Sequence, residues 1–571
     1  MPGTATWNER AFDGARASAL EAAGQSAVMS RLLASRGVEA ANLDRFFDPS
    51  LGDLADPAAL PGINEAVATI MPFLSGDRKV VVFGDYDADG VCASAILVSA
   101  LSRLGADVKE FIPRRNDEGY GMTAASLERL FAEHPGVSLV ITVDNGISSP
   151  AEVASLRERG VTVVVTDHHL PGSELPVADA LVNPRIASAP GCEDLCGAGV
   201  AFFLASALAK AATAAGIYSG PKFGGPLLVL AGLATVADLM PLVGQNRVLV
   251  AQSLLNFQRC APVGLRELYL RASRKTNGPI LARDYSFTLV PRINAAGRMS
   301  SAVEAYHLVT CENREEARWL AMNVDALNAM RKTIEQRMDR EARMQIDDSS
   351  PRSAVVVRGD DWHLGVAGIV AARLLETYRV PVAVAVGDTG SARAPDGYNV
   401  HRALEESSAH LVRFGGHAAA GGFTVLPGDF EGFKAAFSAA CAGQRADAGD
   451  CAAIAFDGWL EPKDLTLDLY NDIQRLEPFG ECNPEPVFGL AGVAFSEVRP
   501  VGADGRHAAF AFVNRAIPRA VWWGHGRDVE YLRAKSSARF DVLFTLAVSD
   551  YGGEPPHLEL RLAALRPAAA Q

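Results

Sequence analysis

Cysteine is scarce in this chain. There are eight in 571 residues, scattered singly apart from Cys192 and Cys196. A disulfide scaffold is excluded, and one CxxxC pair without a second is a poor zinc site, so free thiols in a reducing compartment are expected. No run of about 18 uninterrupted apolar residues exists, so no membrane span is expected. The first twenty residues carry charges and no compact apolar core, so neither is a secretory signal. These absences together predict a cytoplasmic location. Basic residues are in deficit: 54 Lys and Arg against 67 Asp and Glu, a net charge of −13. That argues against a protein that coats nucleic acid non-specifically, but it permits a local basic groove. Residues 261–300 invert the balance, with Arg266, Arg271, Arg274, Lys275, Arg283, Arg292 and Arg298 against Glu267 and Asp284. No internal repeat or long low-complexity tract is visible.

What is there is an ordinary globular composition, 49% hydrophobic and 21% charged, in a chain long enough for three or four domains. Within it, Asp85, Asp87 and Asp89 crowd into five residues after the apolar run Val80–Phe83. A buried strand should not end in three like charges, because repulsion and desolvation both oppose it. A cation removes that penalty. Asp144 follows Ile141-Thr142-Val143, and Asp167-His168-His169 follows Val161–Thr166. Three strands thus end in metal-ligand chemistry.

Between about 78 and 185, apolar runs alternate with helical patterns. Val80–Phe83 precedes a helix through Ala93–Leu104, and Val108–Pro113 a helix near Ala124–Glu133. Leu139–Val143 precedes a helix near Ala151–Arg159, and Val161–Thr166 follows. This is the pattern of βαβ units and a parallel sheet, whose ligands bind beyond the carboxyl ends of the strands. Residues 197–260 read as helical. From 312 to 345, Leu320, Val324, Leu327, Ile334 and Met338 fall at helical spacing, with Asn313 and Glu316 as a capping box. A second α/β unit spans about 350–440, with strands Ala354–Arg358 and Val382–Val386 around a helix Val366–Tyr378, punctuated by Gly415–Gly422. Beyond 452, short strands such as Val542–Val548 and His557–Leu562 suggest a small β-barrel. The expected domains are 1–77, a helical lead-in; 78–311, catalytic; 312–349, a connecting helix; 350–450, α/β; and 451–571, the barrel.

Carboxylates and imidazoles at converging strand ends can hold two divalent cations, which activate a water and neutralise charge on a phosphoryl group. Mixed oxygen and imidazole ligation favours Mn2+ over Ca2+, with Mg2+ an alternative. Asp238, in Ala237-Asp238-Leu239, offers another carboxylate, although taken alone it reads as a helix-end residue. The DxDxDG pattern also suggests an EF-hand, but the closing Glu is replaced by Ile96 and a strand stands where a helix is needed.

Together, Asp85–Gly90, Asp144-Asn145-Gly146, Asp167-His168-His169 and Ala237-Asp238 resemble the four motifs of the DHH phosphoesterase superfamily. Gly415–Gly422 resembles the glycine-rich signature of its DHHA1 domain. With Arg292–Arg298 and Pro478-Phe479-Gly480, the order is similar to the RecJ branch, single-strand-specific 5′→3′ exonucleases, over nearly the whole chain. The implied fold is a multidomain α/β protein: a DHH parallel-sheet domain, a long connecting helix, an α/β DHHA1 domain and a C-terminal OB-like β-barrel.

The resemblance implies metal ligation by Asp87, Asp89, Asp144, His168 and Asp238, with Asp144 bridging. Asp85 is either a ligand or a supporting carboxylate. His169 would face the scissile phosphate, with Asp167 orienting the imidazoles. Arg115 and Tyr120 match a substrate-binding loop, with Arg114 an adjacent competitor. Ser391 and Arg393 match residues that hold a DNA 5′ phosphate, and Arg298 a backbone contact near the catalytic centre, supported by Arg292 and Asn294. Gly415, Gly416 and His417 could bring amides close to phosphates, or simply pack a strand on a helix. The implied activity is metal-dependent degradation of single-stranded DNA to nucleoside 5′-monophosphates in repair and recombination. A single-strand-binding protein and a helicase are the implied partners. A phosphodiesterase of short oligonucleotides or cyclic dinucleotides is the alternative enzyme, disfavoured by chain length. A non-catalytic single-strand-binding scaffold would be expected to have lost ligands. One departure stands out: the family usually has Gly where this chain has Cys482, which bears on local turn geometry and not on catalysis.

Overall fold

The computed structural model describes residues 6–74, 78–114, 118, 121–220, 223–273, 278–347, 352–444, 453–535, 538–549 and 557–568. The chain divides into two compact units. One comprises Leu54–Met240 and Gly244–Cys451; the other comprises Met1–Asp53, Pro241–Val243 and Ala452–Gln571.

The larger unit begins with a five-stranded parallel sheet. Its spatial order is Asp107–Phe111, Lys79–Phe83, Val137–Val143, Thr162–Thr166 and Ala180–Val182. The Val/Ile runs are buried on both faces, as crossover helices require. Strand order reverses between Lys79–Phe83 and Val137–Val143, which opens a crevice at their carboxyl ends. The first crossover helix spans Ala88–Arg103 and starts earlier than the apolar pattern predicts. The cause is Asp87: its carboxylate caps the helix, accepting the N–H groups of Asp89 and Gly90 at 3.0 Å each. The short strand Ala180–Val182 escapes the sequence pattern because three residues carry no periodicity.

Helices Gly197–Ala214, Gly225–Ala237 and Gly244–Cys260 follow. Gly197–Ala214 is long and apolar enough by composition to cross a membrane, yet most of it is buried inside the domain. The 31-residue helix Arg314–Met344 is capped by Asn313, which accepts from the N–H groups of Glu315 and Glu316. Its buried stripe is apolar except at Asn328, Arg331 and Glu335. Arg331 donates to Asn328 and Glu335, and Glu335 also pairs with Arg373 on the helix Leu364–Tyr378. This ties the connecting helix to the second sheet, ordered Leu411–Gly416, Ala420–Val425, Thr389–Arg393, Val382–Val386 and Val355–Gly359.

In the smaller unit six strands lie in the order Phe488–Val493, Phe540–Ser549, His557–Pro567, Ala520–Trp522, His507–Phe512 and Phe495–Val501. The two edge strands are joined by Ala494 alone, so the sheet must curl upon itself. Its interior holds Phe488, Phe495, Phe510, Phe540 and Phe544. The N-terminal segment belongs here. Trp7–Glu9 pairs with Ile454–Phe456, and the helices Gly14–Ala22 and Ala27–Ser35 contribute Leu20, Leu32 and Leu33 to the same core. Cys482 has φ +59°, a left-handed backbone that glycine adopts freely. The turn thus holds a residue with a Cβ in a conformation that favours glycine.

Candidate metal centre and nucleotide-binding residues

The acidic cluster is built by backbone geometry. Gly84 N–H donates to Phe111 C=O, so the chain leaves the sheet beside its neighbour. Asp85 is buried, and its Oδ1 accepts the Tyr86 N–H at 2.8 Å. Gly90 packs against the Asp85 backbone so closely that a Cβ would lie 2.6 Å from Asp85 N. Asp89 points its two carboxylate oxygens at the N-terminus of the helix Gly197–Ala214, accepting from Gly197 N–H at 2.7 Å and Ala198 N–H at 2.8 Å. Helix dipole and free amides both favour the anion there. Cys196 caps that helix with its sulfur, which accepts from Gly199 N–H.

Asp144, at the end of Val137–Val143, has φ +62°, an uncommon backbone for a residue with a Cβ. Asn145 holds this turn in place: its Nδ2 donates to the carbonyls of Phe83 and Val143, joining the strands on either side of the crevice. The Asp167 Oδ1 accepts from the N–H groups of His168 and His169 and contacts His169 Nδ1 at 2.8 Å, while Oδ2 accepts Ile147 N–H. Asn183 donates to His169 C=O and Arg185 to His168 C=O, which fixes the turn from behind. His168 Nε2 then stands 3.1 Å from Asp144 Oδ1, 3.6 Å from Asp238 Oδ2 and 3.7 Å from Asp89 Oδ2. Asp238 is the C-cap of Gly225–Ala237, where the helix dipole disfavours a carboxylate.

Three groups that could hold a cation result, each with atoms within 4.8 Å: Asp85, Asp87 and Asp144; Asp89, His168 and Asp238; Asp144, His168 and His169. Asp144 and His168 are each shared between groups. Burial, followed by the charge of Asp87, lifts Asp89 to about 6. Burial with Asp89 and Asp87 lifts Asp238 to about 8, and Asp144 is also raised well above its usual range. Burial and the neighbouring His169 lower His168 to about 4, leaving a neutral imidazole. For His169 burial is outweighed by the hydrogen bond and charge of Asp167, which raise it to about 9. Hard oxygen donors with one neutral imidazole, crowded enough to retain protons at neutral pH, suit divalent cations.

The substrate-side expectations fare unevenly. Asn294 Oδ1 accepts Ala88 N–H at 2.8 Å, so it braces the acidic turn. Arg298 donates to Gly365 C=O at 3.1 Å on the first turn of Leu364–Tyr378. One turn on, a Cβ at Gly368 would lie 3.0 Å from the Arg393 guanidinium and 3.6 Å from Ser391 Oγ. Arg298, Ser391 and Arg393 thus gather along one helix start. Arg292 is engaged with Asp325 and Thr288 C=O, and Arg271 pairs with the same Asp325, so part of the basic stretch is neutralised locally. Gly415 and Gly416 pair with Gly422 and Gly421 in an antiparallel hairpin with His417 exposed at its tip. Arg115 and Tyr120 lie outside the described residues; Arg114 is exposed. Cys192 and Cys196 are buried free thiols.

Sequence reading missed Gly197, Ala198, Asn183 and Arg185. Their partners lie far away along the chain or at backbone atoms, and no local pattern marks them.

A parallel-sheet domain whose strand ends carry this carboxylate–histidine set, joined by a long helix to a second α/β domain, defines a DHH-type phosphoesterase. The DHH family N-terminal domain matches residues 79–220, the DHHA1 domain 352–443 and the RecJ OB domain 456–562. The single-stranded-DNA-specific exonuclease RecJ of Dickeya dadantii is 37% identical over 487 residues, which cover 81% of this chain and 83% of the relative. The crystal structure of Thermus thermophilus RecJ with Mn2+ superposes with a TM-score of 0.84 at 32% identity, covering 99% of this chain and 80% of that one. The same protein with Mg2+ gives 0.77 at 29% identity, covering 99% and 79%. The chain belongs to the RecJ family of single-stranded-DNA-specific exonucleases.

Proposed function

We propose that this chain is a divalent-metal-dependent exonuclease that degrades single-stranded DNA from its 5′ end to nucleoside 5′-monophosphates. The observation that carries the reading is the convergence of Asp89, Asp144 and Asp238 on His168 Nε2 within 3.7 Å. Asp85, Asp87, Asp89, Asp144, His168 and Asp238 would hold two cations, with Mn2+ favoured and Mg2+ the alternative. When bound, these supply an activated water and charge neutralisation on the phosphodiester.

The protein's own groups do the rest. The α-helical N-terminus at Gly197 and Ala198 fixes Asp89. Asp167 keeps His169 protonated and oriented, so that it donates to a non-bridging oxygen of the scissile phosphate. Arg298, Ser391 and Arg393 offer planar and hydroxyl donors to the terminal 5′ phosphate and the adjoining backbone. A pocket for the terminal phosphate, held at fixed distance from the cluster, sets the cut one nucleotide in and gives the 5′→3′ polarity. Asn294 braces the acidic turn, and Arg292 ties its own helix to Asp325 of the long connecting helix. The barrel offers a single-strand platform; Trp522 belongs to its core, and Trp523 is exposed. A cytoplasmic role in repair and recombination, fed by a helicase and a single-strand-binding protein, completes the reading.

The test is digestion of 5′- and 3′-labelled single strands with Mn2+, beside duplex and dinucleotide controls. Early release of the 5′ label as a mononucleotide is expected, and Arg393→Ala should weaken the preference for a 5′ phosphate more than the chemical step. Release from the 3′ end, or preference for dinucleotides, contradicts the proposal.

A further inference from the structure

Leu239 directly follows Asp238, and its conformation is anomalous for its type. The helix Gly225–Ala237 ends with Leu239 N–H donating to Val236 C=O and Met240 N–H donating to Thr235 C=O. This pair of bonds requires a left-handed residue at 239, where glycine is the common choice. Leucine takes it at φ +54°, against the steric preference of any residue with a Cβ. The position that usually carries the fastening apolar side chain at such a helix end is held by Met240, which is buried. The Leu239 side chain contributes nothing to that fastening, being 74% exposed. A second exposed leucine follows the histidine turn: Leu170, next to His169, is also 74% exposed. Two aliphatic side chains therefore stand in solvent, each one residue beyond a member of the metal cluster.

We propose that Leu239, aided by Leu170, packs against the base of the nucleotide at the cut. The inference rests on the single-strand exonuclease reading above. An enzyme that removes nucleotides without regard to sequence can use only features common to all four. Those are the phosphates, reached by arginines, and the apolar faces of the bases. An aliphatic side chain beside the metal ligands meets any base equally and seats its phosphodiester over the cluster. A purely structural role is argued against by the backbone, because glycine would serve that role with less strain.

The experiment compares wild type, Leu239→Gly, Leu239→Met and Leu170→Ala on single strands with normal or abasic 5′-terminal nucleotides, with thermal midpoints in parallel. Leu239→Gly should melt no lower than wild type and lose about tenfold in kcat/KM on normal DNA, the scale of a single base contact. Leu239→Met should restore most of that loss, and Leu170→Ala should show a smaller one. On abasic ends wild type should fall toward the variant, and the difference between them should close. Unchanged kcat/KM for Leu239→Gly on normal DNA overturns the inference, as does an equal loss on normal and abasic ends. Failure of the wild type to release 5′ mononucleotides at all instead contradicts the exonuclease reading.

Discussion

Gly197 lies directly on Asp144: a Cβ at position 197 would sit 2.6 Å from the Asp144 Cβ and 3.0 Å from its carboxyl carbon. The same residue donates its N–H to Asp89. One glycine thus sets the spacing of two carboxylates that follow different strands of the sheet. Gly197→Ala should leave the fold largely intact, since alanine suits the first turn of a helix, while pushing Asp144 or the helix start aside. Misplacement near 1 Å at a reacting centre costs on the order of 100-fold in rate. The expected outcome is weaker Mn2+ binding by calorimetry and a loss of that order in kcat, with a stability loss of about 1–3 kcal/mol from the overpacked site.

Asp87 caps the helix Ala88–Arg103, and on the proposed reading it is also a metal ligand; the two roles are separable. Asn also caps well, whereas Ala does not. Asp87→Asn should therefore keep stability near wild type, and Asp87→Ala should lose about 1 kcal/mol by denaturant unfolding. Both should lose metal affinity, because neither supplies the charge. Equal stability of the two variants would show that the cap contributes little.

The crowded carboxylates make the metal-free protein pH-sensitive in a defined direction. Asp238 titrates at about 8 and His169 at about 9 when folded, both above their unfolded values. Their stabilisation is fully present below those unfolded values and is lost as pH rises through the folded ones. Between about pH 6.5 and 9 the folded state holds more protons than the unfolded chain, so metal-free stability should fall across that window. His168, lowered to about 4 from 6.5, works the opposite way only below the upper of those values. A cation must displace the protons on Asp144 and Asp238, so Mn2+ should bind more tightly at about pH 8 than at about pH 6.5 and release protons as it does. Thermal melts with and without Mn2+, and calorimetry in buffers of different ionisation enthalpy, measure both effects.

The site was legible where chemistry is local in the chain. Asp85-Tyr86-Asp87-Ala88-Asp89, Asp144 and Asp167-His168-His169 each follow an apolar run, so strand and ligand announce each other. Asp238 was harder to read, because a carboxylate at a helix end is ordinary until His168 is placed beside it. What escaped depends on contacts between distant positions. Gly197 reads as one more small residue in an Ala-rich helix, and Asn183 as a turn residue, until Asp144 and His169 are brought against them. The helix beginning at Ala88 escaped because its cap, Asp87, stands inside an acidic motif that hides a helix start. The strand Trp7–Glu9 needs Ile454–Phe456 to exist at all.

Asp144 is the residue on which the proposed chemistry depends most, being shared between ligand groups that bring together Asp85, Asp87, His168 and His169. The decisive measurement is Mn2+-dependent release of the 5′ label from single-stranded DNA by wild type and by Asp144→Ala, with thermal midpoints taken in parallel. Wild type should release mononucleotides, and the variant none above background while remaining folded. Cleavage by Asp144→Ala at a rate near wild type would contradict the bridging role and the metal-dependent mechanism built on it.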